Sequence, residues 1–320
     1  MKIRCTAGYR RIMLSLSLGV SGSYSAVAVD YFVNDADPAG DLFCTAPGNG
    51  ANDGLSPLTP LASPHAVFTR YTVSTGDTVF VDSGFYPLQD DLEVPDTGPG
   101  NPASGSWLRL VGTGRSVLDR QAAGGSACCL RIRQDCTRVE GLSFRQAGVG
   151  IEIVAETCRN ARLEGVTVSD LSDAGIVIQP DPADGGVDTY AIRNTLIYNT
   201  RNGILIQSGE GFHRANVTVE NTTVSAFNGV GVACGGAAGG TVLRHSILAV
   251  KGAGACLSVA REGALAHSEF NNLYPYGGAR LAVFAAEDAT RLIDTLAAWR
   301  SETGFDRFSL SRDPLFVHPD

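Results

Sequence analysis

Lysine is almost missing from this chain: among 320 residues it occurs only as Lys2 and Lys251, and arginine carries the remaining positive charge. We read that bias as background composition before chemistry. Charged residues make up only 18% and aromatics only 8%. A helical bundle would need abundant Ala, Leu, Glu and Lys, so this scarcity argues against one. No C-x-x-C pair occurs, which leaves zinc-ribbon and thioredoxin-like readings without support. Beyond the N-terminus no segment is apolar enough to span a bilayer. A net charge of −8 offers no basic face for phosphates, so no nucleic-acid partner is expected.

Glycine, by contrast, is abundant at 38 residues, which suits short strands joined by tight turns. Residues 1–28 read as a signal peptide. Lys2, Arg4, Arg10 and Arg11 lead, Ile12 to Val20 form a short apolar core, and Ala26-Val27-Ala28 is an A-x-A cleavage signal. Its removal makes the chain more acidic and predicts a secreted or cell-surface protein. Export permits disulfides. Cys136 and Cys158, like Cys234 and Cys256, are 22 apart, so each pair could sit on adjacent coils, while unbonded thiols stacked inside the fold explain the spacing equally well.

A repeat organises the rest. Gly150-Ile151-Glu152-Ile153, Gly175-Ile176-Val177-Ile178, Gly203-Ile204-Leu205-Ile206 and Gly229-Val230-Gly231-Val232 recur at intervals of 25, 28 and 26, and Cys129-Leu130-Arg131-Ile132 fits 21 residues earlier. Each unit has a second marker, at Gly141, Gly165, Asn194, Asn221 and His245. Two residues before it stand Val139, Leu163, Ile192, Val219 and Leu243; three after it stand Phe144, Val168, Ile197, Val224 and Leu248. Strand side chains alternate faces, so such positions can stack, coil upon coil, into one apolar interior. No coil could bury that face alone. The expected fold is therefore all-β: a right-handed parallel β-helix with short helical caps. We place an N-terminal cap at 29–75 and the helix at 76–320, with room to continue further. Ser63-Pro64 opens a cap helix. Thr290 to Ser301 carries Leu292, Ile293, Leu296, Ala297 and Trp299 at helical spacing and reads as a second helix.

Tyr31-Phe32-Val33-Asn34-Asp35, Asn52-Asp53-Gly54-Leu55-Ser56-Pro57, Gly76-Asp77-Thr78-Val79-Phe80-Val81 and Gly84-Phe85-Tyr86 are similar to the N-terminal signature of secreted right-handed β-helix proteins. Trp299 to Gly304 followed by Asp313-Pro314-Leu315-Phe316 resembles their C-terminal signature. The resemblance implies the pectate-, alginate- and chondroitin-lyase-like superfamily. That group also contains epimerases, glycoside hydrolases and non-catalytic surface proteins, so fold alone selects no activity. Hydrolase and epimerase motifs are absent. Lyase-like members of this kind use a lysine base with an arginine on a neighbouring coil, which singles out Lys251, with Arg244 nearest in sequence.

Loops leaving one edge of successive coils should stack into a rim. The loop from Gln179 to Tyr190 carries Asp181, Asp184 and Asp188; that from Gln207 to Arg214 carries Glu210, Phe212, His213 and Arg214. The carboxylates Asp181, Asp184, Asp188 and Glu210 could hold Ca²⁺, a hard cation that takes several oxygen ligands. The ion would neutralise a uronate and leave His213, Arg214 or Lys251 to abstract a proton. Asp184 and Glu210 as an acid–base pair for glycoside hydrolysis is a further option. Plain turn chemistry explains the same residues. On the outward face of the first strands, Arg131, Glu152, Val177, Leu205 and Gly231 form one expected column, and Arg133, Val154, Gln179, Gln207 and Ala233 the next. Gln179, Gln207, Arg133 and Phe212 are candidate sugar contacts. The Asx-rich loops between Asn34 and Asp53 are explained by turn capping, with structural calcium as the other reading. The sequence thus points to a secreted β-helix that interacts with an acidic polysaccharide, as a lyase-like enzyme or as a non-catalytic surface module.

Overall fold

The computed structural model describes residues 28–179, 187–207, 214–235, 240–285 and 289–316. Its strands stack into three parallel sheets around one interior, a right-handed parallel β-helix. The first sheet begins with Asp30–Val33 and Thr78–Val81 and runs through Asn160–Glu164, Val187–Arg193 and Arg214–Glu220 to Leu265–Glu269. The second runs from Gly84–Pro87 to Thr223–Phe227, Ile247–Lys251 and Asn272–Tyr276. The third runs from Leu92–Val94 through Val149–Val154 and Val230–Cys234 to Arg280–Ala285. Longer strands, such as Thr167–Gln179 and Leu196–Ile206, bend through a corner and serve the second and third sheets in turn.

The repeat positions are the interior. Val139, Leu163, Ile192, Val219 and Leu243 lie in register in the first sheet. Phe144, Val168, Ile197, Val224 and Leu248 do so in the second. Ile151, Ile176, Ile204 and Val232 do so in the third. All are essentially inaccessible to solvent. The second marker has a conformational cause: Gly141, Gly165, Asn194, Asn221 and His245 all take positive φ between 50° and 62°, the left-handed bend that turns the chain from the first sheet to the second. Glycine and asparagine adopt that bend at low cost.

In one coil the register differs from expectation. Leu205 pairs with Ala233, not Gly231, and Ile204 pairs with Val232. The glycine that stacks on Gly150, Gly175 and Gly203 is therefore Gly231, not Gly229. The reason is space. A Cβ on Gly203 would lie 2.3 Å from the Gly231 carbonyl oxygen and 2.4 Å from Val224 Cγ1, and one on Gly175 would lie 2.5 Å from Ile197 Cγ2. At this corner the third sheet passes directly over second-sheet core side chains, so the residue without a Cβ defines the register.

The caps also depart in part from the sequence reading. Asp30–Val33, within the expected N-terminal cap, is itself a rung of the first sheet. Helix α1, Pro64–Arg70, starts as expected, with Ser63 capping Ala66 N and Pro64 in the first turn. Near the other end the expected single helix is divided. Thr290–Ile293 is a strand, antiparallel to Arg280–Ala285, and helix α2 covers only Leu296–Thr303. Thr295 caps α2 at its start and Gly304, at φ 73°, ends it. Leu310 then forms a parallel bridge to Asn272, which starts a further rung. Among the described residues no helix is long and apolar enough to cross a membrane.

The seven cysteines of the described residues are buried and unpaired. Cys234 stands opposite Ile206 and Val259, so it does not face Cys256. Burial pushes the Cys44, Cys129, Cys136, Cys234 and Cys256 thiols up to about 12. Because the thiolate is the reactive form, these cysteines should resist alkylation in the folded protein at pH 8 and react fully in guanidinium. Peptide-resolved mass spectrometry after an iodoacetamide pulse checks this; native labelling at any of the seven would contradict the buried, protonated arrangement.

Candidate functional site

A groove of about 850 Å³ lies on the outer face of the second sheet. Period-2 alternation builds it. In Leu196–Ile206, Thr223–Phe227, Ile247–Lys251 and Asn272–Tyr276 the residues between the core positions point outward. Leu196 and Tyr198, then Thr223, Ser225 and Phe227, then Lys251, then Tyr276 line the groove from successive coils. Lys251 stands in register between Phe227 and Tyr276.

The edge of the groove is the bend from the second sheet to the third. Asn199 and Asn228 take it with φ of 51° and 56°, Gly252 and Gly277 with 83° and 61°. Asn199 Nδ2 donates to Asp170 Oδ1 at 2.6 Å. Asn228 Oδ1 accepts from Ala253 N at 3.1 Å, and its Nδ2 has no partner among the described residues. The far wall is Phe316. Its segment is held by Leu273 N donating to Leu310 O and by a two-way pairing of the Asn272 side chain with the Arg312 backbone. Tyr198, Phe227 and Phe316 are 36%, 42% and 41% exposed.

Lys251 is the one charged residue lining the groove, and no ion pair holds it among the described residues. Among the described residues no carboxylate lines the groove, although the whole chain carries −8. Elsewhere arginines are committed. Arg109, Arg138, Glu140 and Glu164 form a chain of ion pairs along the first sheet, and Arg193 and Arg244 share Glu220. Arg244, the arginine nearest Lys251 in sequence, is therefore engaged with Glu220 at 2.9 Å.

The remaining sequence candidates are distributed over other parts of the helix. Asp181, Asp184, Glu210, Phe212 and His213 lie outside the described residues, as does the side chain of Arg214. Arg214 begins a first-sheet strand, on the corner between the third and first sheets; Lys251 ends a second-sheet strand at the next corner, so the two are not brought together. Asp188 is only 3% exposed. Burial, and then the Asp188 charge, push the neighbouring Tyr190 phenol up, and Tyr190 Oη donates to Cys158 O at 2.8 Å. Gln179 donates to Glu152, and Arg131 also bonds Glu152, at 2.7 Å. Arg133 pairs with Glu93 at 3.0 Å. Gln207 lines a separate depression of about 370 Å³ with Ala233, Ser258 and Ala260. The Asx-rich N-terminal loops show turn capping: Asp35, Asp37, Asn49 and Asp53 each accept from the backbone N–H two residues on.

Of the groove's lining residues the sequence reading singled out Lys251 and none of its neighbours. Phe227 and Tyr276 follow the second-strand core positions by three residues, as Lys251 does, whereas Tyr198 follows by one. Reading the outward as well as the inward positions of that strand would have exposed them.

The family model described as a right-handed β-helix region matches residues 124–286. No curated protein matches the sequence. A solved structure of pectate lyase Pel9A is similar over 82% of this chain and 78% of that chain, with 13% identity and a TM-score of 0.46.

Proposed function

The chain belongs to the right-handed β-helix family, and on that premise we propose that it is an exported protein that binds an acidic polysaccharide along the second-sheet groove. The observation that carries this reading is charge: among the described residues the only charged side chain lining the groove is the cation Lys251, within a chain of net charge −8. A groove of opposite sign to its protein selects an anionic ligand and repels little of it. The open rings of Tyr198 and Phe227 offer apolar faces for sugar rings, and Asn228 Nδ2 offers a donor for hydroxyls.

Lys251 holds the uronate carboxylate in this reading. Should the chain also cleave its ligand, Lys251 would act as the neutral amine and not as the carboxylate's ion-pair partner, taking the C5 proton to become the ammonium. The leaving oxygen would then take its proton from the Tyr198 or Tyr276 hydroxyl as the C4–O bond breaks and the C4=C5 bond forms. The non-catalytic surface module is the same groove without that step.

Affinity electrophoresis against polygalacturonate, alginate, chondroitin sulfate and neutral dextran tests the reading. Retardation is expected with the acidic polymers, weakening with salt, and not with dextran. Lys251→Met should lower acidic-glycan affinity about 10-fold, the value of one charge-assisted contact. Equal retardation of wild type and Lys251→Met, or none with any polymer, would sink it. Ultraviolet absorbance of unsaturated products, present in wild type and lost in Lys251→Met, separates elimination from binding alone.

A further inference from the structure

Asn34 closes the first strand, Asp30–Val33, and is completely buried. Its backbone N donates to Leu61 O at 2.9 Å. Its amide Nδ2 donates to Ala46 O at 2.9 Å and to Asp41 Oδ2 at 2.6 Å. The second oxygens of that pair, Asn34 Oδ1 and Asp41 Oδ1, are both shielded from solvent, and neither has a hydrogen-bond partner among the described residues. An unmatched buried oxygen is costly, and two on a bonded pair of side chains call for something positive between them.

The neighbouring acids do not fill that need. Asp82, wholly buried, already accepts from four backbone N–H groups, those of Leu42, Phe43, Cys44 and Ser83. Asp35 accepts from Asp37 N and Phe85 N. Asp35, Asp37 and Asp82 are close enough for their charges to act on Asp41. None of these four acids has a basic ion-pair partner among the described residues.

We propose that a divalent cation binds between Asn34 Oδ1 and Asp41 Oδ1, with calcium the best match, and that it ties the 34–44 loop to the first rung of the helix. Both protein donors are hard oxygens, one an amide carbonyl and one a carboxylate. Calcium accepts that mixture with water and backbone carbonyls in a loose geometry, whereas magnesium demands a near-ideal octahedron and zinc prefers nitrogen and sulfur. Among the described residues no three His, Cys, Asp or Glu converge on a metal position, so water or carbonyl oxygens complete the shell. This site is independent of the groove and of Lys251.

The test uses the whole chain, stripped of metal with chelator. Calcium at about 100-fold above its dissociation constant should raise the melting temperature by about 5 °C, with magnesium doing less. Terbium should bind with luminescence sensitised by tyrosine, Tyr86 being bonded to Asp82 O, and calcium should displace it. Asp41→Asn and Asn34→Ser should each abolish the calcium response. Calcium should also slow proteolytic cleavage between Asp35 and Cys44, a readout in wild type that needs no variant to fold. A full calcium response retained by both variants, or no calcium effect on melting, terbium binding and loop cleavage, would overturn the proposal.

Discussion

Gly203→Val should leave no stable folded protein. The new side chain would start 2.3 Å from the Gly231 carbonyl oxygen and 2.4 Å from Val224 Cγ1. Neither obstacle can swing aside: one is backbone in the next coil, the other a core side chain without solvent exposure. Overpacking a flexible site costs about 1–3 kcal/mol, and a site fixed on both sides belongs at or above the top of that range. Geometry adds to the damage. Each coil of a solenoid touches only its neighbours, so a broken central rung separates two halves that each lose an interface. We expect inclusion bodies, or a soluble product whose guanidinium melt splits into two phases. Gly50→Ala is the control, because a Cβ there meets nothing within 4 Å; its stability should stay within about 0.5 kcal/mol of wild type. A cooperative Gly203→Val melt at the wild-type midpoint would show that the glycine stack is not the constraint described.

Trp299→Ala should release the C-terminal end of the helix. Trp299 is fully buried, packs edge-on against Phe284 at 6.3 Å, and donates Nε1–H to Asp306 Oδ2 at 2.9 Å. Asp306, also fully buried, accepts in addition from Asn271 Nδ2 at 3.1 Å and Ser309 Oγ at 2.5 Å. Asn271 Oδ1 accepts from Ser246 N, and Ser246 Oγ from Thr222 N, so the network continues down the corner of the helix for several coils. Removing the ring costs about 3–5 kcal/mol. Trp299→Phe keeps most of the packing and loses only the donor, for about 1–3 kcal/mol. Hydrogen exchange distinguishes this from general destabilisation. Protection should fall in Ala255–Val259 and Arg280–Ala285 while Thr137–Arg145 keeps its wild-type rate. Uniform loss across all coils would mean that α2 is not a local cap.

What could be read from the linear chain follows from periodicity. Ile151, Ile176 and Ile204, with Val168, Ile197 and Val224, repeat because every coil needs an apolar plug at the same place, and that demand is written into each unit separately. The bend residues Gly141, Gly165, Asn194 and Asn221 were legible for the same reason, since each coil turns there with positive φ. Register in the coil of Gly231 was not legible. Gly229 and Gly231 fit the pattern equally, and only the approach of Val224 and Val250 to the backbone distinguishes them.

The groove lies further from the sequence still. Phe227, Lys251 and Tyr276 share one outward register column, but Leu196 stands at another place in its coil and Phe316 comes from a C-terminal segment outside the repeat. Composition and repeat pattern determined that this chain is an acidic, glycine-rich parallel β-helix with a dry interior. The stacking of one coil on the next decided that its single lysine beyond the N-terminus stands in register between two aromatic residues, and that several arginines are held in ion pairs elsewhere. A repeating core constrains each unit alone, whereas a surface site depends on which outward residues the register happens to bring side by side.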